Sequence, residues 1–314
     1  MKSLYISALT LLAISTTASA QFVVTPKEGE PTVVNGNISF SAQGEEWSVG
    51  ESFNPDLELS KIASISLSPK EESAKVGDYF YSDGSYSSTL DESKKPIGIV
   101  FYVGNPSVND AALRAAFPGC VHGLVLALKD TKCEWQEDYS GFEDEADMTV
   151  GEWIEDNTDY VSIATRSVSM TSVFNQIMGF NNTKGIDKFN DSEYGWDYEV
   201  IVGNKISSPV SSTPAPTSTS GWYVPSIKEV SLFVSGAIDG NIDDLGYESE
   251  PDNANVVLIN EKLKNVAGST LINGVYWSST EYSVGQAYTV QSANGLVMST
   301  SKGGSNNLRP VLAF

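Results

Sequence analysis

The chain closes on Arg309-Pro310-Val311-Leu312-Ala313-Phe314. Four apolar residues after a proline read as a short strand, and such a strand leaves water only by pairing into a sheet. Whatever the fold, it must hold a slot in a sheet for this last segment. Two more blocks precede it: Gly221-Trp222-Tyr223-Val224-Pro225-Ser226 and Tyr276-Trp277-Ser278-Ser279-Thr280-Glu281-Tyr282. Trp222 and Trp277 are expected in the core. Each can bury roughly 200 Å², and each indole N–H then needs an acceptor. Arg309 is expected to anchor a buried carboxylate or carbonyls.

Local signals between these blocks are clear. Ser226-Ile227-Lys228-Glu229 is a capping box, followed by Val230 and Val234 at helical spacing. Asn255 to Val266 puts Val256, Ile259, Leu263 and Val266 on one helix face, and Gly268 ends it. Gly274 to Tyr282 reads as a strand. Ala287–Val290 and Leu296–Ser299 read as a hairpin around Asn294-Gly295, where Asn-Gly supplies the positive φ of a tight turn. Further back, Ile97–Val103 and Val121–Lys129 are apolar runs that fit strands buried on both faces. The middle reads as helical. Met148, Val150, Trp153 and Ile154 share a face, and Ser172–Phe189 carries Val173, Ile177, Phe180 and Ile186, with Gly179 and Gly185 weakening that helix. Residues 207–220 form a Ser/Thr/Pro tract, expected as an exposed loop inside one domain.

The first 20 residues read as a secretory signal. Lys2 opens it, an apolar stretch follows, and Ala18-Ser19-Ala20 is a small-x-small cleavage site. The stretch is too short to span a bilayer, and no Cys follows the cleavage site for a lipid anchor. The expected organisation is 1–20 signal peptide, 21–75 a β-rich arm or small module, and 76–314 one large α+β domain. Within the arm, Asn37–Ala42 and Ile62–Ser68 alternate as strands do.

The formal charge is −21, and removing Lys2 with the signal takes it to −22. Such acidity excludes a nucleic-acid partner, whose phosphates demand basic surface, and an anionic membrane surface. It also keeps a secreted chain soluble. The two cysteines, Cys120 and Cys133, face an oxidising compartment after export. If Val121–Lys129 is one strand it runs about 30 Å. Only four residues remain to return, spanning at most about 14 Å, and a bond needs Cα atoms within about 7 Å. Two buried thiols are expected, with an irregular bridged loop as the alternative.

Material for catalysis is sparse. His122 is the only histidine and sits in a run predicted to be buried. Cys120 lies two residues away and so on the same strand face, which makes a Cys–His pair conceivable. A structural thiol and a core imidazole are the expectation. Zinc lacks Cys and His ligands. Calcium has one candidate region: Asp239, Asn241, Asp243 and Asp244, then Glu250 and Asp252, oxygen-rich but off the spacing of an EF-hand loop. The expectation is therefore no cofactor, with calcium the one alternative. Among 40 acidic residues no spacing singles out a glycosidase pair.

Together, the Gly221–Ser226 block, the capped helix, the Tyr276–Tyr282 block and Arg309-Pro310-Val311 resemble the C-terminal domain of bacterial collagen-like adhesins, the Lcl C-terminal type. That family belongs to the wider C-type-lectin-like group, which includes formylglycine-generating enzymes. The resemblance covers about 76–314 and is strongest over 221–314. It implies an α+β C-type-lectin-like domain, and for stand-alone secreted members a cell-surface role, some as fimbrial tip subunits. The formylglycine reaction needs cysteines late in the domain, and this chain has none after Cys133. In this group ligands meet the face of the late loops and strands. Here that face offers Thr280, Glu281, Tyr282, Gln286, Tyr288, Gln291, Asn306 and Asn307, and Tyr with small polar residues suits recognition. The expectation is a non-enzymatic adhesion or ligand-binding protein, extracellular or on the outer surface. Its partner would be a glycan or a host or neighbouring-cell protein, with pilus or surface carrier subunits as assembly partners. The alternatives are a secreted glycan- or protein-acting enzyme, and a structural surface component without a specific ligand.

Overall fold

The computed structural model describes residues 73–137, 148–161, 175–236 and 253–314, and the backbone of five strands between residues 21 and 68. The expected signal segment 1–20 lies outside the described residues, as do the calcium candidates Asp239, Asn241, Asp243, Asp244, Glu250 and Asp252. Contacts group the chain into two compact units, Met1–Ser73 and Ala74–Phe314.

The first unit holds β1 (Gln21–Pro26), β2 (Thr32–Asn35), β3 (Ile38–Ala42), β4 (Glu45–Val49) and β5 (Ile62–Ser68). β1 is the centre of an antiparallel sheet of order β2-β1-β5, and β3 pairs with β4 as a separate hairpin. The alternating segments predicted near 37–42 and 62–68 are β3 and β5.

The second unit begins with β6 (Tyr79–Tyr81), β7 (Tyr86–Ser87), β8 (Pro96–Val103), α1 (Ala111–Ala116), β9 (Gly123–Ala127) and β10 (Thr131–Cys133). Five helices follow: α2 (Val150–Asn157), α3 (Gly179–Asn190), α4 (Glu193–Asp197), α5 (Ile201–Asn204) and α6 (Ser207–Val210). Then come α7 (Ile227–Ser235), α8 (Ala254–Leu263), β11 (Val275–Ser283), β12 (Gln286–Gln291), β13 (Val297–Ser301), β14 (Asn306–Leu308) and β15 (Val311–Ala313). They form two five-stranded sheets, β15-β9-β8-β6-β7 and β10-β14-β11-β12-β13, in a mixed α+β architecture. The one parallel contact between named strands of this unit is β11 with β14.

The slot demanded by the terminal segment is the margin of the first sheet. β15 pairs antiparallel with β9, Leu312 opposite Val125, and Val311 bridges to Tyr223 on its other side. Both faces of this sheet are buried. Ile97, Val100, Val125 and Leu312 pack with Phe80 and Phe314 on one face; Ile99, Phe101, Leu124, Leu126 and Val311 enter the main core on the other. This is why β8 and β9 read as continuous apolar runs. Gly98 is required by close approach: a Cβ there would lie 2.3 Å from Val125 Cγ1 and 2.5 Å from the Leu126 carbonyl.

Helix α7 joins the sheets. Its capping box forms as read, with the Ser226 N–H donating to Glu229 Oε2 at 2.6 Å, and Gly236 ends it at φ +80°. It contacts β8, β11, β12 and α8. Every residue from Ile227 to Ser235 is buried, so it is an internal helix and not an amphipathic surface one.

Other expectations are corrected. The strand at 121–129 is shorter, Gly123–Ala127, and His122 lies outside it and is exposed. The helix expected over 172–189 spans Gly179–Asn190. The 207–220 tract is not simply an exposed loop. It starts with α6, buries Thr213, Thr219 and Ser220, and Ser220 exchanges hydrogen bonds with Ala313. Trp222 is only half-buried, donating its indole N–H to the Thr213 carbonyl at 2.9 Å, because its ring covers the outer cluster around Phe314. Cys120 and Cys133 are free, buried, and in different core clusters.

Candidate ligand-binding face

β11 carries three of the eight predicted site residues, Thr280, Glu281 and Tyr282, and most of the strand is wired inward. Tyr276 enters the main core, while Trp277 enters a second cluster with Trp135, Ile154 and Phe189 and donates its indole N–H to the Cys133 carbonyl at 2.9 Å. The serines and threonine that follow tie neighbouring segments to the strand. Ser278 Oγ donates to the Tyr288 carbonyl at 2.9 Å, Ser279 Oγ accepts from Asn182 Nδ2 at 2.9 Å, and Thr280 Oγ1 accepts the Ile227 N–H at 3.0 Å. Helices α3 and α7 pack on this strand, so a pattern that reads as polar surface is a buried junction.

Glu281 is fully buried. Its carboxylate accepts the first amides of α2, Val150 at 3.1 Å and Gly151 at 2.9 Å, and pairs with the Lys302 ammonium. Negative charge at a helix N-terminus is favourable. Lys302 also donates to Gln136 Oε1 at 2.9 Å and lies 4.6 Å from the Trp135 ring centroid. Burial pulls the Lys302 ammonium below its ordinary value, and Glu281 opposes that shift.

Thr280 and Glu281 are therefore removed from the predicted ligand contacts, as are Tyr288 and Asn307, which are also buried. Asn307 Nδ2 donates to the Asn273 carbonyl at 3.0 Å, fixing the turn before β11. The structure leaves Tyr282, 44% exposed, at the end of β11, with its ring edge-on to Tyr288 at 5.3 Å. Gln286, Gln291 and Asn306 are partly exposed, and the edge strand β13 exposes Ser299 and Ser301. The result is a shallow polar edge with one rigid aromatic. Trp196, 72% exposed on α4, escaped the sequence reading. Its signal was a tryptophan between Gly195 and Asp197 in a stretch without apolar periodicity.

The perturbed groups serve the fold. Burial raises Glu229 to about 7, against hydrogen bonds from Ser226 and Tyr223 that favour the carboxylate. It is fully buried, with Tyr223 OH at 2.7 Å and the Ser226 N–H and Oγ as partners. Asp110, also raised by burial, caps α1 through Leu113 and accepts the Asn181 N–H at 2.9 Å. The Cys120 thiol is pushed up to about 11 by burial while His122 is exposed, so this pair holds no activated nucleophile. Arg309 does what its position before Pro310 suggests. It donates to the Leu128 carbonyl at 3.2 Å and to Thr270, with Asp130 3.7 Å away. Among the described residues no cluster of His, Cys, Asp and Glu could hold a metal, and no helix is long and apolar enough to cross a membrane.

No family model matches the chain. Among curated proteins, the provisionally named fimbrium tip subunit Fim1C of Bacteroides ovatus is 30% identical over 245 residues, which is 69% of this chain and 40% of that protein. The chain thus spans less than half the length of this relative. A crystal structure of a fimbrial protein from Bacteroides ovatus superposes with a TM-score of 0.58 at 21% identity, covering 94% of this chain and 64% of that one. At that identity the likeness is one of fold.

Proposed function

We propose that this chain is an exported, non-enzymatic subunit of a surface fimbrium, with residues 74–314 as a binding head of C-type-lectin-like kind. The observation that carries the reading is the similarity to a fimbrium tip subunit across 69% of the chain. The fold likeness to a fimbrial protein supports it. The late edge around Tyr282, Gln286, Gln291 and Asn306 would meet a glycan or a protein, since Tyr gives rigid amphipathic contact and Asn and Gln adaptable hydrogen bonds. The β2-β1-β5 sheet would join pilus or carrier subunits by adding a strand at an open edge, which supplies affinity through main-chain hydrogen bonds.

The purified mature chain, run over glycan and extracellular-matrix arrays with and without calcium, tests this. Saturable binding that a Tyr282→Ala, Asn306→Ala double variant loses while keeping its melting temperature is the expected result. Loss on chelation would assign a role to Asp239–Asp252. No binding by a folded, monodisperse sample would contradict the binding head and leave a purely structural subunit.

A further inference from the structure

Where β8 begins and β9 ends, the 207–220 tract and the exit of α8 enclose a pocket of 250 Å³. Its walls are Pro96, Leu128, Pro209, Val266 and Ala267, and its polar groups come from Lys95, Lys129, Ser212 and Thr213. None of these belongs to the late strands. We infer that this pocket binds a single-ring organic anion, a sugar acid or sulfated sugar, with its charged group between Lys95 and Lys129.

Charge sets the sign of the ligand. The chain has 40 acidic residues against 19 basic ones, yet the lining carries two lysines and no carboxylate. Among the described residues neither lysine enters an ion pair; the pairs formed there use Lys94, Lys184, Lys302 and Arg309. Nor does the end of α8 occupy them. Its last carbonyls are already taken: Leu263 by Val266 N–H and Ser269 Oγ, and Val266 by Ser269 N–H. The neighbouring Leu128 carbonyl is held by Thr270 N–H and Arg309. The Lys129 ammonium stands 4.0 Å from where a side chain on Gly268 would start, and Gly268 has φ +76°. Glycine there permits the turn and leaves the lysine room.

Size and lining set the rest. Sites for drug-sized ligands run to about 300–1,000 Å³, so this one takes a single ring. Pro and Val walls suit the apolar face of a ring, and the Ser212 and Thr213 hydroxyls suit its hydroxyls. Ammonium contacts to a carboxylate or sulfate are charge-assisted and stronger than neutral ones. The tract read from sequence only as a loop thus supplies one wall of a site.

Titration of the full mature chain by saturation-transfer NMR with glucuronate, glucose 6-sulfate, glucose and inorganic sulfate tests this. Saturable binding of glucuronate or the sulfated sugar, with glucose silent and inorganic sulfate a poor competitor, is expected; which of the two binds identifies the anionic group. A Lys95→Gln, Lys129→Gln variant should weaken binding by at least about tenfold, as two charge-assisted contacts are lost. Ala267→Trp keeps the charges, fills the mouth, and should weaken it as well. Lys95 and Ala267 are exposed and Lys129 is partly exposed, so melting temperature should hold. Five results would overturn the inference: no saturable binding of either anion, equal binding of glucose, inorganic sulfate competing as well as the sugar acid, full binding by the double-lysine variant, or full binding by Ala267→Trp. The array experiment with the Tyr282 variant reads the late edge separately, so either idea can fail alone.

Discussion

At the residue scale, the polar atoms buried in this protein act as fasteners. Glu229 closes the cap of α7, receives Tyr223, and approaches α3. Its ordinary value of 4.5 rises to about 7 in the folded state, because burial disfavours the charge. Between those values the folded chain holds a proton that the unfolded chain has released. The contribution is therefore greatest below the unfolded value and is lost as pH rises through about 7. Urea unfolding of wild type and Glu229→Gln from about pH 5 to pH 8 should show wild type losing on the order of 1–3 kcal/mol relative to the variant as pH rises. A flat or rising difference would contradict this assignment. Glu281 teaches the related lesson. Alone in sequence it is another acid in an acidic chain; only the fold brings the α2 amides and Lys302 to it.

At the element scale, what was legible was what short-range chemistry decides. The capping box of α7, the Asn294-Gly295 hairpin and the insertion of β15 all follow from residues close in sequence, as does the existence of α8, although it ends at Leu263 with Lys264 as its cap and not at Gly268. What was illegible depended on packing from afar. Thr280 and Glu281 look like surface, yet α2, α3 and α7 cover their strand. Gly179 and Gly185 look like helix breakers and are contact points. A Cβ on Gly185 would lie 2.7 Å from Ile154 Cδ1, and one on Gly179 would lie 2.2 Å from Glu229 Oε2. Helix propensity alone would make Gly179→Ala stabilising by up to about 1 kcal/mol. Crowding against a buried carboxylate should instead make it destabilising by about 1–3 kcal/mol. A fall in the urea midpoint supports the close packing of α3 on α7, and a rise refutes it.

At the scale of the whole molecule, the leader-like first 20 residues and the similarity to a fimbrium tip subunit support the proposal of a protein working outside the cell. The α+β class was legible because the apolar runs at 97–103 and 121–129, the capping box at Ser226 and the helical spacing after Asn255 announced themselves. Of the eight residues expected on a ligand face, four are buried and four accessible, so the sequence pattern alone did not separate surface from junction. The claim that binds these scales is that the chain is carried on a surface filament. Immunogold electron microscopy of intact, unpermeabilised cells that produce the protein tests it most directly. The account predicts gold on filaments projecting from the cell, lost when residues 21–75 are deleted. Label seen only after permeabilisation, or spread over the envelope with no filament, would contradict it.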